Sequence, residues 1–150
     1  MGWTLEQQNR LQLERNLLQK YFPNFLWYNP AVPGSAFIEG TMITNSKQNY
    51  KLRLIIPIDI PSSVPSLLII SPKPLYDRNY KSIADLGYSA TMHVLSPINE
   101  YVKICHYKAS HWSPNITFYK VLMKGRLWLE AYEAHRRTGL NLDYYLKHQT

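Results

Sequence analysis

The sequence predicts an α+β domain, and three observations carry the prediction. A capping box opens an amphipathic helix at the N-terminal end, strand-like runs broken by Pro, Gly and Asn fill the middle, and a nearly all-apolar helix follows a Ser-Pro start further on. Helices at the two ends of the chain, with strands joined by short turns between them, describe a four-stranded antiparallel meander with helices packed on one face. At 150 residues, 45% hydrophobic and 18% charged, the chain suits a single domain over 1–150 with a real core.

Thr4-Leu5-Glu6-Gln7 is the capping box: the Thr4 hydroxyl accepts from the Gln7 backbone N–H, and the Gln7 side chain reaches back. Leu11, Leu13, Leu17, Leu18, Tyr21 and Phe22 form one broad side of the helix, with Gln12, Asn16 and Gln19 opposite, and Pro23 stops it. Phe25 to Tyr28 and Ala36 to Thr44 read as the first two strands, and Asn45 to Asn49 as a polar turn. Tyr50, Leu52, Leu54, Ile56 and Ile58 alternate with Lys51, Arg53, Ile55 and Pro57, the period of a half-buried third strand. Leu67 to Ile70 is a short fourth strand.

Residues 75 to 100 show little periodicity and read as a long irregular segment, the kind of segment that often carries function. Tyr101 to Tyr107 is briefly extended. Ser113 is the expected N-cap and Pro114 the first residue of a helix that is apolar almost all round from Ile116 to Leu129 and therefore buried. His135, Arg136 and Arg137 fall in its last turn, favourable for the dipole, and Gly139 caps it. A last short helix is expected from Leu142 to Lys147.

Seventeen Lys and Arg against ten Asp and Glu leave a formal charge of +7. The cations are spread along the chain, with Arg136-Arg137 the tightest cluster, and no run of aromatics interleaved with basic residues stands out, so nucleic-acid binding is not the expected role. No Gly-rich phosphate loop exists, and one Cys with five scattered His cannot make a structural zinc site, so neither cofactor nor metal is expected. No apolar window approaches eighteen residues and no secretory signal opens the chain. With a lone cysteine and no disulfide, a soluble cytoplasmic protein is the expectation.

The chemistry concentrates between Tyr101 and Gly139. Lys103-Ile104-Cys105-His106-Tyr107 is followed, seven residues after the cysteine, by Trp112-Ser113-Pro114. Upstream, Tyr50, Leu52, Pro57, Pro61 and Pro65 punctuate a strand and its exit. This arrangement resembles the ubiquitin-conjugating enzyme fold, with its N-terminal helix, four-stranded meander, Pro-marked third strand, and cysteine followed by a Trp-x-Pro helix start. Trp128-Leu129-x-x-Tyr132-Glu133 followed by Thr138-Gly139 looks like the ending of small bacterial ubiquitin-conjugating-like proteins found beside cyclic-oligonucleotide antiphage genes.

The resemblance covers nearly the whole chain. It implies a transferase that forms a thioester at Cys105 with the C-terminal glycine of a partner, either a cGAS-like nucleotidyltransferase or a ubiquitin-like protein, and passes it to an acceptor. It implies that the compact system works without a dedicated activating enzyme. The alternative is an interaction module of the same fold that binds such a partner without catalysis.

A cysteine suits acyl transfer because a thiolate attacks an activated carbonyl well and then leaves well. Lys103, His106, Lys108 and His111 surround Cys105 in sequence and favour its thiolate. An extended backbone turns Cys105 away from Val102 and Ile104, toward the side of Tyr101 and Lys103. The chain departs from the family at its oxyanion motif. Where the family carries His-Pro-Asn, the nearest histidine here is His93, twelve residues before Cys105, followed by Val94-Leu95, and Asn99 is out of register. The catalytic set is therefore expected to be Cys105 with His106 or His111, or backbone N–H groups of the loop after Cys105, as oxyanion donors. His93 is expected to order the irregular segment, Trp112 to anchor the cysteine loop, and Trp128, Tyr132 and Glu133 to be structural or partner-facing.

Overall fold

The computed structural model describes residues 2–146. Helix α1 runs Leu5–Tyr21, and the capping box is present: Thr4 Oγ1 accepts from the Gln7 N–H at 3.1 Å and Gln7 Oε1 accepts from the Thr4 N–H at 3.0 Å. The Gln7 side chain also donates to the carbonyls of Ile58 and Ile60, tying the helix start to a distant loop. The broad apolar side is narrower than its sequence suggests. Only Leu11, Glu14 and Leu18 are buried, and Leu13 stays 51% exposed.

A carboxylate holds a core position because its hydrogen bonds are met. Glu14 accepts from Arg10 Nε at 2.8 Å and from the Phe118 N–H at 2.9 Å, while Arg10 donates to the carbonyls of Pro114 and Ile116.

Six strands follow: β1 Leu26–Tyr28, β2 Phe37–Ile43, β3 Asn49–Ile55, β4 Ser66–Ser71, β5 Val94–Ile98 and β6 Tyr101–Ile104. They form one sheet in the order β1-β2-β3-β4-β6-β5, every neighbour antiparallel. The sheet thus has six strands rather than four, and the segment 75–100 is not irregular throughout. Val94–Ile98 within it, with Tyr101–Ile104, makes a hairpin closed by Asn99 and Glu100, both at positive φ (51° and 66°). Positive φ at both central residues is the geometry of the tight turn whose twist matches paired strands. A register irregularity between Leu95 and Ile98 accommodates Pro97, and it also breaks the period-two signal.

The third strand ends at Ile55, earlier than the alternation suggests, so Ile58 lies outside it and is exposed. Pro57, which has no N–H to give, follows soon after.

Helix α2 runs Phe118–Thr138. Its N-cap is Thr117, whose hydroxyl accepts from the Lys120 N–H, so the helix begins later than the expected Ser113-Pro114 start. Ser113 Oγ instead accepts from the Asn115 N–H in a local turn. Phe118, Val121, Leu122, Trp128, Leu129 and Tyr132 are buried, while Met123 and Leu127 remain exposed, so the helix has one dry side rather than an apolar perimeter.

Gly125 lets that side lie close on the sheet: a Cβ there would come within 2.7 Å of Leu67 Cδ2. Gly139 ends the helix at φ 81°, its N–H on the His135 carbonyl, as the sequence indicated. Helix α3, Leu142–Leu146, packs on α2; the expected last residue of this helix, Lys147, lies outside the described residues. No helix among the described residues is long and apolar enough to cross a membrane.

Candidate active site

Cys105 follows β6 directly, and its position comes from the hairpin. One step beyond the Val94–Ile104 pair, the Cys105 N–H donates to the His93 carbonyl at 2.9 Å. The two residues therefore leave their strands from paired positions. His93 takes the left-handed conformation, φ 54°, a costly one for a residue with a Cβ. Its backbone is held there from α2: the Trp128 indole N–H donates to the carbonyls of His93 (3.0 Å) and Met92 (3.1 Å).

The His93 ring meets Asp143, with Nε2 and Oδ1 2.8 Å apart. Asp143 stands in the first turn of α3, which is fastened to the same loop by its N–H on the Thr91 carbonyl at 2.8 Å. Cys105, His93, Asp143, Lys108 and Tyr88 line one pocket of about 180 Å³.

Against known protein families, curated proteins and solved structures, the chain has no match.

The electrostatics of the pocket follow from burial and one cation. Cys105 is half-buried; burial pushes its thiol above the ordinary range and Lys108 pulls it back. A thiol held protonated needs a base before it attacks. The carboxylate of Asp143 can only accept, so in the neutral ring Nε2 of His93 carries the proton in that bond and Nδ1 keeps the lone pair. A carboxylate that fixes an imidazole tautomer in the same pocket as a thiol can serve nucleophilic acyl chemistry. Among the described residues no three His, Cys, Asp or Glu side chains converge to hold a metal ion.

Neither of the two loop histidines lines this pocket. His106 is 6% exposed and turned inward, its ring Nε2 donating to the Pro65 carbonyl at 2.7 Å, with Nδ1 unpartnered among the described residues. Burial drops its pKa to about 4, so the ring is neutral and its one N–H is already engaged. His111 is exposed in a 3-10 turn, Ala109–His111.

Trp112 does anchor the cysteine loop: its indole donates to the Pro61 carbonyl at 2.9 Å and its ring meets Tyr107 edge-on. Glu133 is a buried junction, accepting from the hydroxyls of Thr44, Ser46 and Tyr50. In the sequence alone Asp143 carries no signal, and His93 stands as a residue that orders its segment. The signal that joins His93 to Cys105 is the Asn99-Glu100 turn, which sets the two strands back to back.

Proposed function

We propose that this chain is a ubiquitin-conjugating-like cysteine acyltransferase. Cys105 Sγ attacks the activated C-terminal glycine carbonyl of a partner protein, His93 Nδ1 takes the thiol proton, and a thioester forms as the leaving group departs. An acceptor nucleophile then attacks the thioester and the Cys105 sulfur leaves. The partner is a cGAS-like nucleotidyltransferase or a ubiquitin-like protein, and the setting is cyclic-oligonucleotide antiphage defence.

The observation that carries the reading is a single one: the chain's lone thiol shares a pocket with an imidazole tethered to a carboxylate. The ubiquitin-conjugating-like architecture is further supported by an N-terminal helix, a sheet whose first four strands are neighbours in chain order, and a cysteine between the last strand and the long helix.

The test is intact mass after co-expression with a nucleotidyltransferase ending in glycine. Wild type carries a thiol-labile adduct. Cys105→Ser carries a thiol-resistant oxyester, because serine oxygen accepts the same acyl group but leaves poorly. Cys105→Ala carries none. Equal adduct on the alanine variant rules out Cys105 as the acceptor, and stable complex formation with no adduct on any variant points to the binding module instead.

A further inference from the structure

We infer that the face of the sheet turned away from α2 is a binding surface for single-stranded nucleic acid, a role separate from the chemistry at Cys105. Helices α1 and α3 both pack on α2, and α2 packs on the sheet from the side of Leu52 and Leu67, which sets these three helices, among the described residues, away from the opposite face. The register fixes what stands there. Leu26, Glu39, Arg53, Leu68, Lys103 and Leu95 are cross-strand partners in turn, one from each of the six strands, and so share one face. Leu68 is buried yet stands apart from the main core, while its neighbours Leu67 and Ile69 belong to it, which confirms that this row faces away from α2.

The face is basic. Its strand positions hold Lys51, Arg53 and Lys103 against the single carboxylate of Glu39, which pairs with both Lys51 (3.3 Å) and Arg53 (2.7 Å). Lys73 adds a fourth cation, its ammonium 4.3 Å from the Tyr101 ring, and Glu100 lies in the hairpin turn beyond that strand.

The face is also aromatic. Tyr28 stacks on Phe37 with ring centres 4.9 Å apart, and the Arg53 guanidinium lies over the Phe37 ring at 4.6 Å. Tyr28 remains 41% exposed at the outer end of this stack. Residues scattered over seventy-odd positions of sequence are thus brought onto the face turned away from α2, where Leu68 is buried at the middle and Tyr28, Lys51 and Lys73 are exposed around it. Backbone phosphates meet the cations and unstacked bases meet the rings, a combination that binds single strands with little sequence preference. An acidic polypeptide would use the cations and leave the rings idle, and this makes nucleic acid the better fit.

The experiment is fluorescence anisotropy with a labelled single-stranded oligouridine of about 12 nucleotides, titrated at several salt concentrations. Wild type should bind with Kd in the range ~10⁻⁴–10⁻⁶ M and weaken steeply with salt. Lys51→Ala and Lys73→Ala, both at exposed positions, should each lower the salt slope by ~0.7. Tyr28→Ala should weaken binding ~5-fold or more and leave the slope unchanged, because it removes stacking rather than charge. Thermal melts matching wild type show that the variants are folded.

Absence of binding at low salt overturns the inference. So does unchanged affinity in Tyr28→Ala together with equally tight binding of polyglutamate, which would assign the face to acidic protein. A greater loss in Arg136→Ala/Arg137→Ala than in Lys51→Ala would move the site to the end of α2 and also overturn it.

Discussion

Nε2 of His93 lies 2.8 Å from Oδ1 of Asp143, joining the start of the β5–β6 hairpin to the first turn of the last helix. The pair is the side-chain contact by which α3 reaches the proposed chemistry, beside the backbone bond from Asp143 to Thr91, and it makes α3 a working part of the site. Asp143→Asn replaces an obligate acceptor with a group that can present its amide, and this favours the wrong tautomer of His93. Thioester formation should slow by ~10²-fold or more in Asp143→Asn and in His93→Ala, in the range of a lost general base. Single-turnover acylation by a peptide ending in a glycyl thioester measures it. Unchanged rates in both variants would remove the pair from the mechanism.

The thiol itself reports its surroundings. Burial raises the Cys105 pKa and Lys108 lowers it. Alkylation by iodoacetamide should therefore follow a pH profile centred above the ordinary thiol value of ~8.5. Lys108→Met removes the opposing cation, so the profile should move further up and labelling at neutral pH should slow. A midpoint below that of a free thiol, or a downward move in the variant, contradicts this account.

His106 should make stability depend on acid. Its pKa is depressed to about 4 by burial, against ~6.5 in the unfolded chain. The folded state thus prefers the neutral ring. The stability contribution is whole above pH ~6.5 and is lost as pH falls toward 4, by roughly 3 kcal/mol in all. Urea unfolding of wild type and His106→Gln between pH 7 and 4 isolates this term as a difference. Parallel curves for the two proteins would show that the ring titrates normally.

Glu14 joins the two long helices across 104 positions of sequence. Glu14→Ala leaves the Nε–H of Arg10 and the Phe118 N–H without their acceptor, and should cost about 3 kcal/mol. That corresponds to a fall in Tm of ~6–12 °C for a domain of this size. Differential scanning calorimetry decides it, and a loss below about 1 kcal/mol would show that water replaces the carboxylate.

What was legible in the sequence had a local cause. The Thr4–Gln7 box, the Gly139 cap and the alternation of buried Val102 and Ile104 with half-buried Tyr101 and Lys103 depend on neighbours a few residues away, and each stands where the pattern put it. Strand β5 was hidden because Pro97 and its register irregularity break the alternation, and because the turn carries Asn-Glu in place of Asn-Gly. Glu14 carries no signal of burial in the sequence, since the Phe118 N–H it accepts from lies more than a hundred positions away. Asp143 is an ordinary helix-start acid until the hairpin and α3 are brought together. The two loop histidines are close to Cys105 along the chain, but His106 turns into the interior and His111 stands exposed outside the pocket.

The indole of Trp128 reaches the carbonyls of both Met92 and His93, and so couples local order at the pocket to the survival of the whole core. The loop before β5 cannot loosen while α2 is in place, since its bend is fastened to a buried ring. Exchange of the Cys105 amide should therefore track global opening rather than local fraying, with protection close to the full unfolding free energy. A pocket set this firmly asks no ordering of itself when something enters it. The entropic cost of assembly falls on the incoming chain, which must give up its own freedom to fit.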